Sequence, residues 1–171
     1  MGWGPGGGGA VSGLAGAGGA CHDGGMKSIE IPAGAIRIEY RVPYADTDMM
    51  GVVYYGNYLT YFERARNELM RASGQTYADF ETGGAMLPVR EAHVEYRSPA
   101  RYDDVLTIAA WVEEARGVRL TIRCAVLRGE ELLADGYTLH VCVDAKTRRP
   151  IRLPASLVEF AAGAGSGGQE G

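Results

Sequence analysis

Two carboxylates separated by one residue, Asp46 and Asp48, precede Gly51 and a short apolar and aromatic run in the stretch DTDMMGVVYYGNY, residues 46–58. The stretch leads into the one long amphipathic pattern of the chain. A carboxylate can serve as general base toward water or as nucleophile through a mixed anhydride. The first N–H groups of a helix lack partners within it and lie at the positive end of its dipole, so they can receive charge developing on an oxygen. A base beside such donors suits acyl transfer. Turn and cap chemistry is the competing reading of both residues, since Asp favours bends and helix starts. A divalent metal held by Asp46, Asp48 and Glu63 is set aside, because three carboxylates alone do not define a dedicated site. Glu63 is expected instead to pair with Arg66 or Arg90.

The elements that must position these residues follow from periodicity. Residues 35–42 alternate Ile36, Ile38 and Tyr40 against Arg37, Glu39 and Arg41, the signature of a strand with one buried face, which Pro43 ends. Tyr58, Phe62, Ala65, Leu69 and Ala72 then form a helical stripe over 57–72. Asn57 is the expected N-cap and Gly74 the stop. A shorter helical turn is expected at 77–81. From Met86 onward the period is two, which predicts strands at 87–97, 105–114, 118–127 and 132–144, joined as antiparallel hairpins by links containing Pro99, Gly117 and Gly129. The expected fold is therefore α+β, a five-stranded antiparallel sheet with one long helix. Such a sheet is roughly 24 Å wide against roughly 10 Å for a helix, so it must curl around the helix and leave apolar surface for a second subunit. A homodimer or higher assembly with two-fold symmetry is expected. In the strand at 105–114, Leu106, Ile108, Ala110 and Val112 lie opposite Val105, Ala109 and Trp111, which implies burial on both faces.

Of 26 glycines in 171 residues, 12 precede Met26 and 5 follow Ala162. Residues 1–34 therefore read as a disordered Gly-rich extension, 35–161 as the folded domain and 162–171 as a disordered tail. Met26 is a candidate initiator. The first 25 residues carry no Lys or Arg and fit neither a signal peptide nor a membrane span. The formal net charge of −4 argues against a general nucleic-acid binder. Cys21, Cys124 and Cys142 show no CxxC spacing and read as buried small hydrophobes in a reducing, cytoplasmic setting. His22, His93 and His140 have no zinc spacing, and hydrogen-bonded structural roles are expected for His93 and His140. Lys146, Arg148, Arg149 and Arg152 read as a solvated turn, with phosphate contact as the alternative. A short helical piece at 156–160 follows.

The stretch at 46–58, the YFERAR that follows at 61–66 and VEYRSPARYDDVLTI at 94–108 resemble, in that order and separation, the hotdog-fold thioesterases. The resemblance is to the group of 4-hydroxybenzoyl-CoA thioesterases and Tol-Pal-associated bacterial acyl-CoA thioesterases, and it covers residues 36–160. It implies the hotdog fold, a long central helix wrapped by a five-stranded antiparallel sheet that pairs across a dimer. It also implies an acyl-CoA or acyl-carrier-protein substrate, a homodimer or homotetramer, and no metal or organic cofactor.

Residue by residue, the resemblance places the catalytic carboxylate at Asp48 and leaves Asp46 to turn or cap chemistry. It places the oxyanion donor at the backbone N–H of Tyr55, with Gly51 permitting the turn that leads to it. Many members have histidine where Tyr55 stands, so imidazole assistance is absent here. Tyr54, Asn57 and Tyr58 fall near the acyl pocket of relatives, and such tyrosines would suit an aromatic or short acyl group, although tyrosines at this spacing are also ordinary core residues. The family's arginine cluster for the CoA phosphates survives as Arg116, with Arg119 close by. A non-catalytic acyl-thioester binding or scaffold protein is the second reading. A hydratase or dehydratase is the third, disfavoured because no histidine opens the helix.

Overall fold

The computed structural model describes residues 29–165, with side chains to 163. The Gly-rich stretches at 1–28 and 166–171, and with them Met26, Cys21 and His22, lie outside the described residues. Strand β1 (Ile36–Arg41) alternates half-buried and exposed residues, as its sequence alternates apolar and charged ones. Helix α1 (Asn57–Ala72) buries Tyr58, Tyr61, Phe62, Ala65, Leu69 and Met70. Ala72, expected on that stripe, is exposed, because the buried face shifts to Met70 in the last turn. Asn57 is not the N-cap. Gly56 holds that position without a side-chain bond, and Asn57 is the first helical residue.

Helix α2 (Tyr77–Thr82) starts from a capping box in which Thr76 and Asp79 satisfy each other's backbone N–H. Strands β2 (Ala85–Met86), β3 (Val89–Tyr96), β4 (Val105–Arg116), β5 (Arg119–Arg128), β6 (Glu131–Val141) and β7 (Val143–Asp144) follow, and α3 (Ala155–Gly165) closes the described chain. The main sheet is antiparallel, in the order β1-β4-β5-β6-β3, and β2 pairs with β7 apart from it. The expected α+β architecture with five antiparallel strands is what forms. The strand expected at 132–144 is split at Cys142, whose N–H keeps the β5 register on the Val118 carbonyl at 2.8 Å while its own carbonyl accepts the Ile151 N–H at 3.0 Å and Val143 pairs with β2.

One connection differs from the hairpins expected. The β4–β5 and β5–β6 links are hairpins, but residues 97–104 carry the chain from β3 at one edge to β4, which lies next to β1 at the other. Its hydrogen bonds trace the route. Arg97 and Ser98 donate to Leu133 of β6, Ala100 exchanges bonds with Val53 and Tyr58, and Asp103 and Asp104 bond to Val42 beyond β1. A link only eight residues long was legible as a turn, whereas its destination depends on which strand β6 pairs with.

The core lies between α1 and one sheet face. Leu106, Ile108 and Ala110 of β4, Leu120, Ile122, Cys124 and Val126 of β5, and Leu133 and Ala134 of β6 meet the α1 stripe. At Gly136 of β6 a Cβ would stand 2.0 Å from the His93 carbonyl oxygen and 3.0 Å from the Phe62 ring, so the helix seats where no side chain intervenes. Helix α3 covers part of the sheet left bare by α1. It packs against β4, with Leu157 fully buried, and it runs to Gly165, well past the short piece expected at 156–160. Burial on both faces of β4 holds, since Ala109 is as inaccessible as Ile108.

Candidate active site

The carboxylate pair sits on a narrow hairpin. Pro43 ends the first strand, a single 3-10 turn over Tyr44–Asp46 redirects the chain, and Thr47 bridges Val53 in antiparallel fashion. The Asp48 N–H donates to the Val52 carbonyl and the Gly51 N–H donates to the Asp48 carbonyl, both at 2.9 Å. Gly51 closes the tip at φ 73°, a left-handed conformation that glycine adopts without strain. Asp48 Oδ1 accepts the Met50 N–H at 2.8 Å, and its Oδ2 meets no donor among the described residues. The Asp48 carboxylate is half-buried beside Met49 and Met50, which stand out in solvent.

From the other arm of the hairpin the chain enters α1. Its first turn is tightened by bonds between residues three apart: Asn57 to Tyr54 at 2.9 Å, Tyr58 to Tyr55 at 3.4 Å and Leu59 to Gly56 at 3.3 Å. The N–H groups of Tyr55 and Gly56 precede these bonds and meet no acceptor among the described residues. Because the Tyr54 carbonyl accepts from Asn57, the peptide it shares with the Tyr55 N–H is polarised toward donation. One short hairpin thus carries a carboxylate oxygen open on one arm and two open amides just beyond the other.

Beside the helix start is a cavity of about 240 Å³ lined by Val53, Tyr55, Tyr58, Tyr96, Arg97, Ser98 and Pro99. Tyr58 forms its buried side, and its hydroxyl accepts the Ala100 N–H at 3.1 Å. Burial holds the Tyr58 phenol above its ordinary range. Tyr96, the last residue of β3, lies edge-on to Tyr58 at 5.2 Å between ring centroids and donates to the Tyr55 carbonyl at 2.9 Å. A largely apolar hollow with three aromatic walls and few polar groups is the form of a small-molecule pocket.

Of the residues singled out in the sequence, the structure brings Tyr55 and Tyr58 into this cavity wall. Tyr54 stacks obliquely on Tyr55 at 4.5 Å, half in solvent. Asn57 is spent on structure, since its side-chain amide donates to the Asp46 carbonyl at 2.9 Å. Arg116 and Arg119 sit at the β4–β5 hairpin, the opposite end of β4 from Val105. At about 3.3 Å per residue that is roughly 36 Å along the strand, so one protomer does not gather them with Asp48. Asp46, Asp48 and Glu63 form no metal cluster, and among the described residues Glu63 makes no ion pair with Arg66 or Arg90. Lys146 to Arg152 form a solvated turn in which Asp144 accepts the Lys146 and Thr147 N–H groups.

Both histidines lie away from the site. His140 is fully buried between the Leu87 carbonyl and the Thr138 hydroxyl, and burial lowers its pKa to about 4. His93, expected in a hydrogen bond, is instead exposed and stacked on Tyr137. Cys124 and Cys142 are buried and free, and burial raises the Cys124 thiol to about 12. Tyr96, Arg97, Ser98 and Pro99 were missed as pocket residues. They stand inside the 94–108 motif, and a glycine-poor, Pro-containing link directly after an edge strand was the available signal.

Known proteins bear on this geometry. Residues 42–160 match the family model of the thioesterase-like superfamily. The chain is 38% identical over 119 residues to the acyl-CoA thioester hydrolase YbgC of Escherichia coli, covering 69% of this chain and 89% of that one. It is 30% identical over 125 residues to the 1,4-dihydroxy-2-naphthoyl-CoA hydrolase of Synechococcus, covering 70% and 84%. The crystal structure of the DHNA-CoA thioesterase from Staphylococcus aureus superposes with a TM-score of 0.66 at 35% identity, covering 70% of this chain and 80% of that one.

Proposed function

The chain belongs to the thioesterase-like superfamily, with the hotdog fold and thioester hydrolase activity of that family, and from this premise we propose that it cleaves the thioester of an aromatic or short-chain acyl-CoA. Acyl-carrier protein is the alternative thiol carrier. Asp48 is the base toward water, or the nucleophile, and the Tyr55 N–H is the donor to the oxyanion. The observation that carries this reading is the pairing on one hairpin of an open Asp48 oxygen with the open amides of Tyr55 and Gly56.

The mechanism follows from those groups. The bond from Met50 N–H fixes one oxygen of Asp48 and so aims the other. Attack on the thioester carbon, by water relieved of its proton or by Asp48 itself, places negative charge on the carbonyl oxygen. A backbone amide already oriented for it needs no reorganisation, and loss of one such donor costs on the order of 2.7 to 4 kcal/mol in other enzymes. The thiolate leaves, and in the nucleophilic version water then cleaves the anhydride. An acyl group in the cavity among Tyr55, Tyr58 and Tyr96 would have aromatic faces on several sides, which favours aryl or short chains.

A second copy of the chain completes the assembly in this reading. Strand β3 leaves its outer edge unpaired and is exposed along nearly its whole length, and at its end Tyr96 bonds to Tyr55, on which Tyr54 stacks, all three partly exposed. Pairing there gives a homodimer, or a homotetramer by further association, and carries the cavity to the subunit boundary. The setting proposed is cytoplasmic, and no described helix is long and apolar enough to cross a membrane.

Release of free thiol from aryl, short, medium and long acyl-CoAs tests the proposal, with Asp48→Asn alongside. Turnover is expected with aryl or short substrates and is lost in a folded Asp48→Asn protein. Saturable acyl-CoA binding with no thiol release by the wild type, or near-normal release by Asp48→Asn, rejects it.

A further inference from the structure

Asp46 reads in the sequence as a turn or cap residue, yet its carboxylate caps nothing. Oδ2 accepts two phenol hydroxyls, from Tyr40 of β1 at 2.8 Å and from Tyr61 of α1 at 2.7 Å. Its carbonyl oxygen accepts two further donors, the Tyr54 N–H at 2.9 Å and the Asn57 side-chain amide at 2.9 Å. One residue therefore ties the first strand, the first and second turns of α1 and the peptide immediately ahead of Tyr55. The Tyr40 and Tyr61 rings lie 4.9 Å apart at the centroids, and the Arg64 guanidinium sits 4.9 Å over Tyr40, so the phenols that hold the carboxylate are themselves held. Tyr61 is fully buried, and because its ring is desolvated and its hydroxyl donates to the Asp46 carboxylate it stays a phenol at any ordinary pH.

The placement of these bonds points at the reaction. Asp48 lies two residues after Asp46, and Tyr55 follows the residue whose N–H Asp46 accepts. The distance between the two chemical groups thus depends on where the Asp46 main chain sits, and the two phenols fix that position. We infer that Asp46 is a positioning residue, anchored by Tyr40 and Tyr61, that holds the Asp48 carboxylate in register with the Tyr55 amide. The inference rests on the roles given above to Asp48 and Tyr55. Displacement of reacting groups by about 1 Å can cost about a hundredfold in rate, which sets the scale of the effect.

The test measures kcat, KM and melting temperature for the full chain as wild type, Asp46→Ala, Asp46→Asn, Tyr40→Phe, Tyr61→Phe and Asp48→Asn, by thiol release from the best acyl-CoA substrate. Tyr137→Phe, which removes a phenol bonded to Glu91 on the other sheet face, is the control and keeps wild-type kinetics. Asp46→Ala and Tyr61→Phe are expected to lower kcat about tenfold to a hundredfold with KM within about twofold. Asp46→Asn keeps an oxygen where both phenols donate and is expected to recover most of the loss. If folded Tyr61→Phe and Tyr40→Phe keep kcat within about twofold of wild type and lose only melting temperature, the residue is merely structural and the inference falls. An Asp46→Asn protein as slow as Asp46→Ala also overturns it, because the charge and not the anchoring would then be what the reaction needs. Normal turnover by Asp48→Asn would instead reject the parent assignment, whatever the Asp46 variants do.

Discussion

The Tyr96 hydroxyl donates to the Tyr55 carbonyl across 2.9 Å, joining the end of β3 to the residue two places ahead of α1. Removing only the oxygen, as in Tyr96→Phe, keeps the ring against Tyr58 and leaves the carbonyl with only the Tyr58 N–H at 3.4 Å. Because Tyr96 is about half exposed, the bond contributes about 1 kcal/mol or less to stability. The expected outcome is a several-fold fall in kcat/KM with a melting temperature near that of the wild type, read by steady-state kinetics and calorimetry.

Acid stability should report His140. Its folded pKa is lowered to about 4 by burial, against an ordinary histidine value of 6.5. Between those values the unfolded chain holds the proton and the native one does not, so stability falls as pH drops from about 6.5 toward about 4 and this contribution flattens below. The loss is on the order of 3 kcal/mol. Urea midpoints measured across this range for wild type and for His140→Gln should converge at low pH, since glutamine takes up no proton.

Gly136→Ala should destabilise through crowding. The new methyl would meet the His93 carbonyl at 2.0 Å, within a ladder that cannot yield without unpairing β3 from β6. Overpacking of this kind costs about 1 to 3 kcal/mol, and a backbone obstacle places it at the upper end. Denaturant unfolding checks the magnitude, and amide exchange in β3 should rise more than in β4.

On the sheet face away from α1, Asp135 is almost fully buried and is held by Arg97 at 2.7 Å and Arg123 at 3.5 Å, beside Trp111. Arg97→Met leaves that carboxylate with only the longer contact. A loss of about 2 to 4 kcal/mol is expected, since stranding a buried charge costs more than the pair contributes. Arg97 also lines the cavity at the helix start, so KM for an aryl-CoA should change in the same protein.

Much of this was legible in one dimension. The alternation in β1, β4 and β5 and the stripe from Tyr58 to Leu69 are local patterns, and each became the element expected of it. The Tyr55 amide came only through the family resemblance, since a cap at Asn57 would place the open amides after it. What escaped needed the third dimension. Whether Asn57 caps the helix or reaches back to Asp46 depends on the hairpin between them. The crossing of residues 97–104, the seat for Phe62 at Gly136 and the two phenols on Asp46 join residues whose proximity is set by strand order, which no local spacing encodes. Arg116 and Arg119 show the converse, since a matching motif position did not bring them near Asp48 within one chain.

Residue 55 divides its labour between main chain and side chain, the ring forming pocket wall while the amide stays open. Nineteen of the twenty standard residues would present that same amide, and proline alone would abolish it. In the role proposed for it, substrate taste can therefore drift at this codon over evolutionary time while the donor persists unchanged.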